Sequence, residues 1–221
     1  MKPLLLIGSS GHAAAVLNTI EMEGRYRVVG LLDSFEALGS LKHGYPVCGA
    51  PEDAARIAAE LDCRSFFIAV GDNWSRQCLA EKLKLAVPDA DCPTLIHPQT
   101  IVSRTVELGA GTVVLEGAII QADVAIEAGC IVNAAAGIGH GCHIGAYASL
   151  SGGVRLAGSC SVGERSAVGI GACVIEKIKI GRDSVVSAGA VVFKDVQEET
   201  VVLGNPARFV RQRKPDEAYL R

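Results

Sequence analysis

The sequence predicts an α/β plus β fold: a small Rossmann-like βαβ unit followed by a triangular coil of parallel β-strands. Three features carry this reading. Apolar runs alternate with helical patterns up to about residue 90. Beyond Pro93 the helical period vanishes and glycine becomes frequent. From Ile96 onward an aliphatic residue returns at every sixth position.

In the first part the elements follow in order. "KPLLLIG" reads as a strand, "HAAAVLNTIEMEG" as a helix, "RVVGLLD" as a strand and "APEDAARIAAELD" as a helix; "SFFIAVG" and "NWSRQCLAEKLKLA" repeat the pair. This is the order of a parallel sheet with crossover helices. The turn "GSSGH" follows the first strand and opens the first helix, so its backbone N–H groups and the helix N-terminus suit an anionic phosphate. It is not a G-x-G-x-x-G motif, because only Gly8 and Gly11 are present. Asp33 ends the second strand 22 residues after Gly11, where a carboxylate accepts hydrogen bonds from a ribose or a base. Gly71, after the third strand, leaves the backbone open to close approach by a nucleotide.

In the second part the aliphatic positions run from Ile96 through Val132, Ile138 and Ile144 to Val192, seventeen in all. Four residues after many of them stands a small or β-branched residue, among them Thr112, Cys130, Ala136, Cys142, Cys160 and Ser184. One large and one small inward residue per hexad describe one flat face of a triangle, and three hexads close a turn of 18 residues. The domain reading is therefore residues 1–92 for the Rossmann-like head, 93–210 for the ladder, and 211–221 for a charged tail. That tail, "RQRKPDEAYLR", is expected to leave the ladder as a helix or a mobile end.

Composition bounds the function. The chain has 221 residues, 49% of them hydrophobic, and a formal charge of −3. No Lys/Arg run exceeds two residues, which argues against nucleic acid as a partner. "PLLLIG" is too short for a signal-peptide core, and no run of 18 apolar residues follows, so a cytoplasmic protein without membrane insertion is expected. Eight cysteines include no C-x-x-C pair and read as small buried thiols, with Cys130, Cys142 and Cys160 inward and Cys173 one step out of frame.

The hexads, closed by "GNPARFV", resemble the left-handed β-helix acyltransferases of the hexapeptide-repeat superfamily. "IGSSGHA", "LLD" and "FFIAVGDN" narrow the resemblance to the nucleotide-sugar N-acetyltransferases of bacillosamine and perosamine synthesis, with the sialic acid O-acetyltransferases as relatives. It covers the chain to about residue 210. The resemblance implies that Ser10, Gly11 and His12 contact a nucleotide-activated amino sugar. It also implies a second acidic residue beside Asp33, where this chain has Ser34. Acetyl-CoA, the co-substrate, is expected along the ladder near Ser149, Gly158, Ile170 and Ala188, with no metal. Ser149 stands where a close relative has a cofactor-contacting histidine.

The hexad frame places the histidines. Ile138 and Ile144 point inward, so His140 projects from the outer side of the coil and His143 falls beside a corner. In the resembled family an Asn-Thr/Ala-x-Ala-x-x-x-His segment ends in the general base, and "NAAAGIGH" matches it with Asn133 and His140. Acetyl transfer to an amine requires removal of a proton from the nitrogen, a task suited to imidazole. Family members commonly carry an acidic residue directly after the base, where this chain has Gly141. His97, before Pro98, reads as a structural corner. O-acetylation of sialic acid or a related nonulosonate is the alternative activity. A γ-type carbonic anhydrase is disfavoured, because His97, His140 and His143 offer no H-x4-H pair. A nucleotide-sensing or structural trimer is the non-enzymatic alternative. A homotrimer is expected, since an exposed base on a flat prism face needs a facing subunit to make a pocket.

Overall fold

The computed structural model describes residues 1–219. The head comprises β1 (Lys2–Ile7), α1 (Gly11–Glu23), β2 (Tyr26–Leu32), β3 (Leu41–Lys42), β4 (Tyr45–Gly49), α2 (Ala54–Glu60), β5 (Ser65–Ile68) and α3 (Asn73–Ala86). Its sheet runs in the order β3-β4-β2-β1-β5. Leu4 and Leu6 of β1 pack on Val16, Leu17 and Ile20 of α1. Leu5 and Ile7 face the other way, onto Ile57 and Ala58 of α2 and Leu83 of α3. Both faces of the strand are covered, which is why its sequence is an unbroken apolar run.

The hairpin of β3 and β4 is not visible in the hydrophobic pattern. β3 is only two residues long and β4 carries Pro46, so neither shows apolar alternation. Its turn is made by His43 at φ 50° and Gly44 at φ 84°, both left-handed, the geometry that tight hairpins prefer.

The second domain is a left-handed β-helix of two-residue strands in three sheets, each strand pairing with the one 18 residues on. Ile120 pairs with Ile138, and Ile138 with Leu156. From Val114 to Val192 the sixth-position aliphatics are all buried. Ile96, Val102 and Leu108 are only partly buried, because no coil stacks beneath them. Every sixth residue from Gly111 to Gly189 turns a corner with φ between 54° and 69°. Glycine adopts that conformation without steric cost, which accounts for its frequency here. Cys130, Cys142 and Cys160 are buried inward and Cys173 is exposed. Burial pushes the Cys130 thiol up to about 12 and Cys142 up to about 11, so both stay protonated and inert.

The tail departs from expectation. Thr200–Leu203 extends one ladder sheet and pairs antiparallel with Arg208–Gln212, so a boundary at 211 falls inside a strand. Beyond it the described residues, 213–219, are neither helical nor detached. Arg213 is buried, and its guanidinium donates to the Asp183 carbonyl at 2.5 Å. The charged run looks solvated in the sequence, but carbonyl oxygens of the last coil accept its hydrogen bonds.

Head and ladder are riveted by Arg76 of α3, which is 2% exposed. Nε donates to Gly129 O at 2.7 Å; Nη1 donates to Val70 O and Gly71 O at 2.9 and 3.0 Å. Nη2 donates to Asn73 Oδ1 and Tyr147 O at 2.8 and 2.7 Å. All five N–H donors of the guanidinium are thus used. Asn73 Nδ2 in turn donates to Arg165 O and Ser166 O, at 3.0 and 3.2 Å.

Candidate active site

The head half gathers at the carboxyl ends of β1, β2 and β5, where open α/β sheets place their ligands. Ser10 caps α1, is exposed and makes no side-chain cap hydrogen bond, and no acidic residue occupies the first turn. The free N–H groups of Gly11 and its neighbours leave this turn suited to an anion. Gly8, at φ 103°, has no room for a side chain: a Cβ would lie 2.9 Å from Ala69 O. Asp33 ties the turn to β2, its Oδ2 accepting from Ser9 Oγ at 2.6 Å and its Oδ1 from the Phe35 N–H at 2.8 Å. Ser34 is exposed.

Two neighbours escape sequence reasoning. Phe35 is 96% exposed directly beside this carboxylate, an aromatic face set next to a hydrogen-bond acceptor. Its signal is an aromatic residue just after an acidic strand end. His43, from the unforeseen hairpin, donates from Nε2 to Ser9 O at 2.9 Å and closes the turn from the other side.

His12 is held in its neutral form. Burial, with help from the nearby Arg76 charge, pushes its imidazole down to about 4, and its buried Nε2 has no hydrogen-bond partner. At neutral pH the ring is therefore uncharged, with Nε2 free to take part in a neutral hydrogen bond. The unfolded chain binds the extra proton between about pH 4 and the ordinary histidine value of 6.5. Stability from this residue is full above pH 6.5 and falls as pH drops toward 4, by about 3 kcal/mol in all. Thermal melts across this range should show a shallower acid loss for His12→Gln than for the parent protein.

The ladder half centres on His140, exposed at a corner, where its backbone N–H donates to Gln121 Oε1 at 3.0 Å. Its imidazole lies on Gly158, one coil above: a Cβ at residue 158 would sit 2.6 Å from Nε2. Gly158 is thus the seat of the ring. Gly158→Ala should swing the imidazole away and cut kcat about tenfold or more. Its melting temperature should stay within about 3 °C of the parent.

His143 is bound to a carboxylate, with Nε2 2.9 Å from Glu127 Oε1. Among the described residues His140 has no such partner within the chain. Gly141, at φ 65°, holds the left-handed corner that Asp123 occupies one coil earlier at φ 58°. His97 is buried, and its Nδ1 accepts the Gln99 N–H at 3.1 Å, as a structural corner requires.

The remaining candidates fall in two further places. Ile170 and Ala188, both exposed, stack at a second corner. The two corners are the edges of one flat sheet, whose outward side includes Ile101 and Ile119 at 66% and 42% exposure. Ser149 is set apart from them. It lies on the sheet whose outer face the head covers, is 7% exposed, and shares a hydrogen bond of 3.1 Å with Tyr219. An apolar cavity of about 350 Å³ between α3 and the ladder, lined by Leu83, Val87, Ala110 and Tyr147, contains none of the candidate residues.

A phosphate-suited head joined to a hexapeptide coil with an outward histidine defines the class of hexapeptide-repeat acyltransferases. The PglD N-terminal domain family matches residues 3–83. PerB from Caulobacter crescentus, solved in complex with CoA and GDP-perosamine, superimposes with a TM-score of 0.89 at 34% identity, covering 96% of this chain and 98% of that one. The acetyltransferase domain of PglB from Neisseria gonorrhoeae FA1090, solved with acetyl coenzyme A, gives a TM-score of 0.86 at 32% identity over 95% and 99% of the two chains. UDP-N-acetylbacillosamine N-acetyltransferase of Bacillus subtilis (strain 168) is 38% identical over 116 residues. That match spans about half the length of each protein, 52% in both. The chain belongs to the family of left-handed β-helix nucleotide-sugar N-acetyltransferases of the bacillosamine and perosamine type.

Proposed function

We propose that the protein transfers an acetyl group from acetyl-CoA to the amino group of a nucleotide-linked 4-amino-4,6-dideoxy sugar, with His140 as general base. The observation that carries this reading is the full-length likeness to PerB, a structure that holds CoA and GDP-perosamine together. In the proposed step the neutral amine attacks the thioester carbon, forming the C–N bond and a tetrahedral oxyanion. His140 takes the proton from nitrogen. The carbonyl then re-forms, the C–S bond breaks, and the departing thiolate takes the proton from the imidazolium. The thioester is already activated, so no covalent enzyme intermediate is needed. Orientation of the two substrates and stabilisation of the oxyanion supply the remaining acceleration.

The nucleotide is proposed to lie at Ser10, Gly11, His12, Asp33, Ser34 and Gly71, and acetyl-CoA against Gly158, Ile170 and Ala188. The unpaired thiols suit a reducing compartment, and the cytoplasm is the proposed one. No helix among the described residues is long and apolar enough to cross a membrane. A screen of UDP-, GDP- and dTDP-linked 4-amino sugars, read by a thiol reagent as CoA is released, tests the activity. Absence of turnover with all of them refutes it.

A homotrimer completes the proposal, because His140 stands on an open corner beside exposed Ile101 and Ile119 and lacks a wall opposite it. Light scattering should return three times 23.0 kDa. A monomer at micromolar concentration contradicts this.

A further inference from the structure

The strap from Arg213 to Tyr219 lies outside the hexad ladder, yet it is fixed at its base. The Arg213 N–H donates to Glu199 O at 2.8 Å and its guanidinium to Asp183 O at 2.5 Å, while Arg211 pairs with Glu217 at 2.6 Å. From there the strap returns to the junction of head and ladder. The Tyr219 hydroxyl lies 3.2 Å from Gly71 O and 3.1 Å from Ser149 Oγ. A carbonyl only accepts and a phenol has one proton, so Tyr219 donates to Gly71 and accepts from Ser149. Gly71 O thereby receives its second hydrogen bond, the first coming from Arg76 at 3.0 Å. Burial raises the Tyr219 pKa, so the phenol stays protonated and the donor order Ser149, Tyr219, Gly71 holds at neutral pH.

These contacts span 148 residues of sequence on one side and 70 on the other. They join the turn assigned to the nucleotide sugar with a ladder hydroxyl on the face that the head covers. We propose that Tyr219 is a positioning residue for the acceptor sugar, holding the Gly71 turn and the Ser149 hydroxyl at a fixed separation so that the sugar meets the ladder in one pose. The inference rests on the proposed acetyl transfer to a nucleotide sugar. It assigns no role to Tyr219 in the chemical step, and the effect belongs to the binding of one substrate.

Tyr219→Phe removes the phenolic oxygen and keeps the ring, while the Arg213 anchors and the Arg76 hydrogen bond remain. The KM for the nucleotide amino sugar should rise about two- to tenfold, the effect of one lost neutral hydrogen bond at a binding turn. The KM for acetyl-CoA should stay within about twofold, kcat within about threefold, and the melting temperature within about 2 °C. Ser149→Ala should raise the same KM, and the double variant should be less than additive because both changes break one chain of hydrogen bonds. Tyr219→Ala should shift the same KM further; if it also lowers the melting temperature, Tyr219→Phe decides. An unchanged KM for the sugar, equal rises in both KM values, or a fall in melting temperature with KM untouched overturns the proposal. A parent protein that acetylates none of the UDP-, GDP- or dTDP-linked 4-amino sugars removes the enzymatic reading and this inference together. An active parent with an unaffected Tyr219→Phe removes only the inference.

Discussion

His140→Ala should lower kcat by roughly 10²- to 10⁴-fold, about 3 to 5 kcal/mol of barrier, with both KM values within a few-fold. The base acts on a proton that leaves only as the C–N bond forms, so its loss weakens the transition state and spares the ground state. The control is His143→Ala. His143 and Glu127 are each about half exposed, with side-chain exposures of 53% and 49%, and such surface pairs contribute little. Its activity should stay within a few-fold of the parent. Steady-state kinetics on both variants, with folding checked by circular dichroism, read the outcome. If His143→Ala is crippled while His140→Ala still turns over, the base assignment moves to the His143–Glu127 pair.

The second large effect is on stability. Arg76→Leu removes the donors for Gly129 O, Tyr147 O, Val70 O, Gly71 O and Asn73 Oδ1. Each buried acceptor left unpaired costs about 1 to 3 kcal/mol, and water entering the gap recovers part of it. The net loss should be about 3 to 5 kcal/mol, lowering the melting temperature by on the order of 10 °C. Arg76→Lys should recover only part of this, since an ammonium has three donors for five contacts. Differential scanning calorimetry checks both. The damage should concentrate at the joint, so hydrogen exchange should rise in the linker between α3 and the first ladder strand before the ladder core. A melting temperature within 2 °C of the parent for Arg76→Leu refutes the rivet.

The candidate site is only partly legible in the sequence. His140 is legible because the hexad frame tells inward from outward residues, and the segment from Asn133 carries the family motif. The turn "GSSGH" and Asp33 are legible because strand, turn and helix each leave a local pattern. Phe35 and His43 are not, since exposure and a two-residue hairpin strand leave no periodic trace. Ser149 illustrates the limit of a linear frame: it obeys the hexad rule for an outward residue, yet that outward face is covered by the head.

By itself the sequence determines the period of six, the 18-residue coil, the inward cysteines and the crossover order of the head. These depend on side-chain size and on backbone preferences between near neighbours, which recur and so can be read along the chain. Only the tertiary structure decides that Arg76 joins the domains, that His143 and Glu127 pair while His140 rests on Gly158, and that the charged strap returns Tyr219 to Gly71 and Ser149. Those contacts join residues far apart in the chain, largely through backbone carbonyls, and every residue type carries the same carbonyl.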